Sequence, residues 1–326
     1  SEFALRLPSV LASFICLFIS YFIALKTTNK MCAFISVCAL SSMPMWIKYS
    51  RYASPDVTFV LCILLIILFF LSFLQTNILL RRYFYIFLSG CFVSISFFVR
   101  SYMALVPLFG LTPFLIYSLV KEKRIFSIYF FTGSFIGLIP TLLNLYYAYK
   151  KFGIKGISSL YDFAKTQAIG RLELDNLLLI PVKYLYFTFP IGFFLIILFI
   201  FTVPNYNHNH KYPLLIYIYP LISFLILLSM STSYIHYYLF LLPSFSLLFA
   251  IRLRSYSFRF TFSNIILKRI LFFFTIIVNS LLLSFILFFN DYFVDFSSEK
   301  VSLVYSILFL LIISYLFSSF IILKNN

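Results

Sequence analysis

Val57-Thr-Phe-Val-Leu-Cys-Ile-Leu-Leu-Ile-Ile-Leu-Phe-Phe-Leu-Ser-Phe-Leu74 is an unbroken apolar stretch that carries no charge. Roughly 20 such residues in a helix cross a hydrocarbon layer of about 30 Å. The run is continuous instead of alternating, which favours a helix over a strand of a membrane barrel. Working outward, comparable runs fall near residues 8–25, 31–47, 83–99, 101–120, 125–147, 183–203, 213–230, 236–251, 270–290 and 301–323. The expected fold class is therefore all-α, a polytopic transmembrane helical bundle of about eleven spans. The long stretch from Tyr83 to Val120 is divided at Arg100, because a guanidinium in mid-lipid is very costly.

Composition agrees. Of 326 residues, 63% are hydrophobic and 10% charged, and the mean hydropathy is +1.05. No soluble core hides so much apolar surface. A net charge of +16 would suggest nucleic acid in a soluble protein. Between apolar helices the same cations set topology and meet lipid headgroups, so the bilayer is the expected partner and nucleic acid is not. The cysteines Cys16, Cys32, Cys38, Cys62 and Cys91 sit inside apolar runs without metal-like spacing.

Strict alternation of the spans can be tested against charge. If the loop with Lys26 and Lys30 is cytoplasmic, then Arg81, Arg82, Lys121, Lys123, Arg124, Lys211, the cluster from Arg252 to Arg269, and Lys324 share its side. Once the long loop 148–182 and its border residue Lys183 are set aside, Arg6, Lys48, Arg51, Arg100 and Lys300 fall opposite, as the positive-inside rule requires. Apart from Glu122, the acids Glu2, Asp56, Asp162, Glu173, Asp175, Asp291, Asp295 and Glu299 gather on the outer side. Acid, base or metal chemistry is expected there. A long outer loop, residues 148–182, has the length of a segment that covers a site. The whole chain, 1–326, reads as a single membrane domain.

Four segments on the outer side could carry chemistry. In Ser1-Glu-Phe-Ala-Leu-Arg-Leu-Pro-Ser9, Glu2 and Arg6 share one face of an interfacial helix, or form only a surface ion pair. In Lys48-Tyr-Ser-Arg-Tyr-Ala-Ser-Pro-Asp56, Asp56 stands at the mouth of the next helix, where it either caps free N–H groups or serves a function among two tyrosines and two cations. In Phe97-Phe-Val-Arg-Ser-Tyr-Met-Ala-Leu-Val-Pro107, Arg100 must snorkel, pair with an acid or bind an anion, and phosphate matches its planar fork. In Ser231-Thr-Ser-Tyr-Ile-His-Tyr-Tyr-Leu-Phe-Leu-Leu-Pro243, His236 is a proton carrier, a ligand or a plain interfacial residue. Walker loops, dinucleotide fingerprints, zinc-binding HExxH and serine elbows are missing from the sequence, which disfavours nucleotide-driven chemistry.

Taken in order, "RLPS" at Arg6 to Ser9, "R-x-A-x-x-D" at Arg51 to Asp56, the turn at Arg100 and "HYYLFLLP" at His236 to Pro243 resemble the GT-C membrane glycosyltransferases. The resemblance is to the branch that holds the protein O-mannosyltransferases and the bacterial aminoarabinose lipid A transferases, and it spans most of residues 1–250. It implies a GT-C-like bundle and an inverting enzyme that moves a sugar from a polyprenyl phosphate to a lipid, glycan or protein acceptor. The implied setting is the periplasmic face of a bacterial inner membrane. Asp56 is the supporting catalytic residue, and the substrate-binding candidates are Arg51, Arg100, Tyr102, His236 and Tyr237. No cofactor is fixed; a divalent metal ion is the one candidate, with Glu2 as its ligand. The general base of the family lies near a first span and first outer loop, which are expected upstream of Ser1. Relatives often carry Lys-Gly-Pro where this chain has Arg100-Ser-Tyr, so the expected turn keeps a cation and loses a small, rigid corner. The rival readings are a lipid-linked sugar flippase or transporter, and a glycan polymerase or ligase. The outer grouping of acids and the missing repeated halves argue for the enzyme over a transporter.

Overall fold

The structure, a computed structural model, describes residues 2–121, 124–155, 158, 162, 174–201, 212–230 and 234–259. They belong almost wholly to one compact unit, Ser1–Ser257. Among the described residues there are helices and turns and no strand. The spans expected at 270–290 and 301–323, with Asp291, Asp295 and Glu299, lie outside the described residues.

The first helices are α1 (Glu2–Thr27), α2 (Lys30–Ser42), α3 (Pro44–Ser50), α4 (Pro55–Gln75), α5 (Leu79–Arg100), α6 (Leu105–Lys121), α7 (Arg124–Gly137) and α8 (Ile139–Phe152). There follow α9 (Leu174–Thr188), α10 (Ile191–Phe201), α11 (Tyr219–Ser229) and α12 (Leu242–Arg259). A π-turn at Leu214–Ile218 leads into α11, and a 3-10 segment at Ile235–Leu241 leads into α12. Five helical stretches are long and apolar enough to cross a membrane, or six if the bent pair α2 and α3 is one span.

In lipid, helices gain little from hiding apolar surface, so close packing holds them together. On α1, Ala12, Cys16, Ile19 and Ile23 are buried, while Phe14, Phe18 and Phe22, spaced by four, form an exposed stripe for lipid. Helix α4 is the hub: Ile63, Ile66, Phe70, Leu71 and Phe73 are almost completely enclosed.

Cross-contacts fix the helix directions. Helices α1 and α4 are parallel, with Ser9 Oγ donating to Ser54 O (3.2 Å) at one end and Lys26 Nζ donating to Gln75 Oε1 (3.1 Å) at the other. Helix α5 returns antiparallel along α4: the Arg82 guanidinium lies over Phe73 (5.0 Å), Tyr85 stacks on Phe69 (6.3 Å), and Ser89 Oγ donates to Ile66 O (3.3 Å). Helices α2 and α12 are also antiparallel, joined by a Cys32 Sγ donor to Ala250 O (3.8 Å) and a Ser36 to Ser246 hydroxyl bond (3.1 Å).

The expected division at Arg100 holds. Residues 79–121 form one apolar helical stretch by composition, but Phe114 on α6 packs its ring 5.4 Å from Phe70 on α4. Phe70 lies roughly 20 Å down α4 from Asp56 at 1.5 Å per residue, and Asp56 pairs with Arg100. The chain must therefore reverse after Arg100, and it does so in a 3-10 turn, Ser101–Ala104.

Helix α7 then runs parallel to α5. An added Cβ at Gly133 or Gly137 would strike the carbonyl oxygens of Phe87 and Cys91, respectively. These two glycines, in a small-xxx-small spacing, let the backbones meet. Helix α6 packs instead on α11, where Gly110 faces Ser223 and Tyr219.

Two expected runs are reshaped by proline. The run 31–47 bends by 67° between α2 and α3, at Met43-Pro44; proline both lacks an N–H and restricts its predecessor. The run 183–203 is broken at Phe189-Pro190 between α9 and α10. The ends of the expected loop 148–182 are helical, since α8 continues to Phe152 and α9 begins at Leu174.

Candidate active site

Because α4 descends from Asp56 and α5 ascends to Arg100, their register brings these residues to one level. Arg100 Nη2 forms an ion pair with Asp56 Oδ1. The side chains are 20% and 8% exposed, so this pair is largely withdrawn from solvent. Removing two charges from water is expensive, and breaking such a pair strands whichever partner remains. Asp56 follows Pro55 in the first turn of α4, where the helix dipole favours a carboxylate. The N-cap is Ser54, without a side-chain cap bond. Asp56 is thus held both by the pair and by the favourable charge of the helix start.

Ser101, next to Arg100, has φ 47° and ψ −132°, a conformation that favours glycine. The sharp corner expected to be lost with the Gly-to-Ser difference is retained in the backbone, at the cost of local strain.

Aromatic rings surround the pair. The Arg100 guanidinium lies 5.4 Å from the Tyr237 centroid, and His236 meets Tyr237 edge-on at 4.5 Å. His236 also stacks on Tyr234 (5.5 Å) and leans on Tyr49 (5.9 Å), which touches Tyr52 (5.9 Å). Lys48 Nζ lies 5.9 Å from each of the Tyr49, Tyr52 and Phe187 rings, within cation–π range.

Of the residues expected from sequence, Asp56, Arg100, His236 and Tyr237 therefore converge. Arg51, after α3, and Tyr102, in the reversing turn, are exposed on neighbouring turns. Glu2 opens α1, but its side chain lies outside the described ones. Lys48, Tyr49, Tyr52, Tyr234 and Phe187 are not among the expected site residues. Four of them lie inside the two segments already quoted, but only the fold shows that those segments meet.

Among the described residues, no three His, Cys, Asp or Glu side chains converge on a point where a metal ion could sit. The Asp56 carboxylate is engaged by Arg100. Asp56 and His236 alone do not make a metal centre, and the side chain of Glu2, the expected ligand, is not among the described ones. An open apolar groove of about 870 Å³ along α6, between Phe109 and Lys121, lies away from the ion pair towards the opposite helix end.

Residues 1–147 match the family model described as dolichyl-phosphate-mannose-protein mannosyltransferase. No curated protein matches the chain. Two crystal structures of ArnT from Cupriavidus metallidurans are similar in fold. The structure bound to undecaprenyl phosphate has a TM-score of 0.63 at 14% identity, over 79% of this chain and 48% of ArnT. The apo structure has a TM-score of 0.61 at 13% identity, over 90% and 51%. This is a GT-C-type fold. The chain spans about half the length of the ArnT structures it matches. The resemblance to the mannosyltransferase and ArnT branch expected from the sequence agrees with these matches.

Proposed function

We propose that the protein is an inverting glycosyltransferase that uses a polyprenyl-phosphate-linked sugar at the outer, periplasmic face of the membrane. The observation that carries this reading is the sheltered Arg100–Asp56 pair at the helix ends. A guanidinium has five N–H donors in a fixed fork, so holding it through Nη2 leaves a geometry suited to a phosphate oxygen pair. Asp56 is then a positioning residue that aims Arg100.

In the transfer step, the acceptor oxygen attacks the anomeric carbon from the face opposite the phosphate. The bond between that carbon and the phosphate oxygen breaks, its electrons stay on the phosphate, and the acceptor proton passes to a general base outside the described residues. Arg100 neutralises the charge that develops on the leaving phosphate, in a site of low dielectric where such contacts count heavily. Arg51 and Tyr102 line the approach from the flanking turns.

The test is binding and turnover by the full-length protein in nanodiscs. Arg100→Ala is expected to weaken undecaprenyl phosphate binding and to lower donor-dependent transfer by about 10²- to 10³-fold, the usual cost of one group that stabilises transition-state charge. Wild-type affinity and rate in that variant would sink the phosphate assignment.

A further inference from the structure

We propose that the aromatic belt formed by Tyr49, Tyr52, Tyr234 and His236 is the sugar-recognising surface of the donor site, and that it selects an uncharged sugar over an amino sugar. The inference rests on the phosphate reading of Arg100 given above.

Two segments distant in sequence build the belt. Tyr49 and Tyr52 come from the end of α3 and its turn, and Tyr234 and His236 from the 3-10 approach to α12. Their rings form a connected series, from Tyr52 to Tyr49 (5.9 Å), to His236 (5.9 Å), to Tyr234 (5.5 Å). His236 and Tyr234 both touch Tyr237, at 4.5 and 5.6 Å, and Tyr237 lies under Arg100. Exposure rises along the way out, from 8% at Tyr237 to 37% at Tyr52 and 58% at Tyr234. The belt thus begins at the sheltered cation and opens at the surface.

Membrane proteins carry tyrosines at the interface in any case, as scattered anchors around the perimeter. These rings instead converge on one ion pair. A sugar joined to a phosphate at Arg100 is a single bridging oxygen away and must fall beside that pair. A pyranose or furanose has an apolar C–H face and a polar rim. Aromatic faces are electron-rich and match the C–H face, while the phenol and imidazole groups supply hydrogen-bond partners to the rim.

Charge defines the sugar class. Lys48, close to the Tyr49 and Tyr52 rings, brings a cation to the belt in addition to the Arg100–Asp56 pair. Asp56, the carboxylate described there, is committed to Arg100. A protonated amino group on the sugar would meet like charge, whereas a neutral hexose or pentose would not.

The experiment compares three lipids on the full-length protein: undecaprenyl phosphate, the same lipid bearing a neutral hexose, and the same lipid bearing an amino sugar. Wild type should bind the neutral-sugar lipid at least about 10-fold more tightly than the amino-sugar lipid, a difference of about 1.4 kcal/mol. The double variant Tyr52→Leu/Tyr234→Leu should lose about 10-fold for the neutral-sugar lipid and keep its affinity for undecaprenyl phosphate. Tyr52→Phe/Tyr234→Phe, which keeps the ring faces, should restore most of the loss. Equal losses for sugar-bearing and sugar-free lipid, or no loss at all, would overturn the belt's role. An equal or tighter grip on the amino-sugar lipid would overturn the selectivity. If wild type fails to bind undecaprenyl phosphate itself, the phosphate reading falls, and the belt proposal falls with it.

Discussion

The two ends of the α1–α4–α5 group are built from opposite chemistry. At the Asp56 end, a carboxylate and a guanidinium are paired in a sheltered position under aromatic rings. At the Gln75 end, Lys26 donates to the neutral Gln75 side chain, which donates back to Lys26 O (2.9 Å), and Asn29 caps α2 by accepting from Cys32 N (3.0 Å). The second end satisfies its polar groups with neutral partners in contact with solvent, which is what helix ends require and no more. The first end withdraws two full charges from water, a costly arrangement that stability alone does not call for. On the proposed function, the contrast separates a structural end from a working one.

The largest expected effect breaks the working end. Asp56→Ala leaves Arg100 buried without its carboxylate and should destabilise the protein by about 3–5 kcal/mol, with a steep fall in transfer. Thermal unfolding in a fixed detergent measures it. Asp56→Ala combined with Arg100→Leu should recover much of the stability and none of the activity; a double variant as unstable as the sum of its parts would mean the two residues act independently.

An intermediate effect comes from the corner beside the pair. Ser101→Gly removes the side chain from a positive-φ position and should raise stability by about 1 kcal/mol. A destabilised variant would show that the Ser101 side chain, and not backbone freedom, holds the turn. The smallest effect belongs to the other end. Gln75→Leu should cost about 0.5–1 kcal/mol, the worth of an exposed side-chain hydrogen bond, and leave transfer unchanged. A large loss of transfer there would erase the distinction between the ends.

Much of this was legible in the sequence. The charge of Arg100 inside an apolar stretch located the reversal between α5 and α6, and alternation placed Asp56, Arg100 and His236 on one side. That Asp56 and Arg100 touch was not legible. Pairing depends on the register of α4 against α5, which is set by the short link Thr76–Ile78 and by side-chain packing along the whole interface. The same holds for Tyr49 and Tyr234, far apart in the chain and joined through His236. Two features were written plainly and passed over: Pro44, which marks the bend after α2, and Gly133-Ser-Phe-Ile-Gly137, which marks a close helix approach.

The parallel packing of α5 and α7 has a consequence for how the protein is made. Helices α4 and α5 are successive, so their antiparallel contact can form as soon as both have entered the membrane. The glycine seam of α7 cannot close on α5 until α6 has crossed and moved aside. Phe114 of α6 can meet Phe70 of α4 at once, but the Gly110 face of α6 packs on α11, a hundred or so residues later in the chain, an interval of about 5–20 s at ordinary rates of synthesis. For that time the Gly110 face of α6 must be covered by lipid or by the insertion machinery. The order in which helices leave the ribosome thus leaves the Gly110 face of α6 open to wrong partners during assembly.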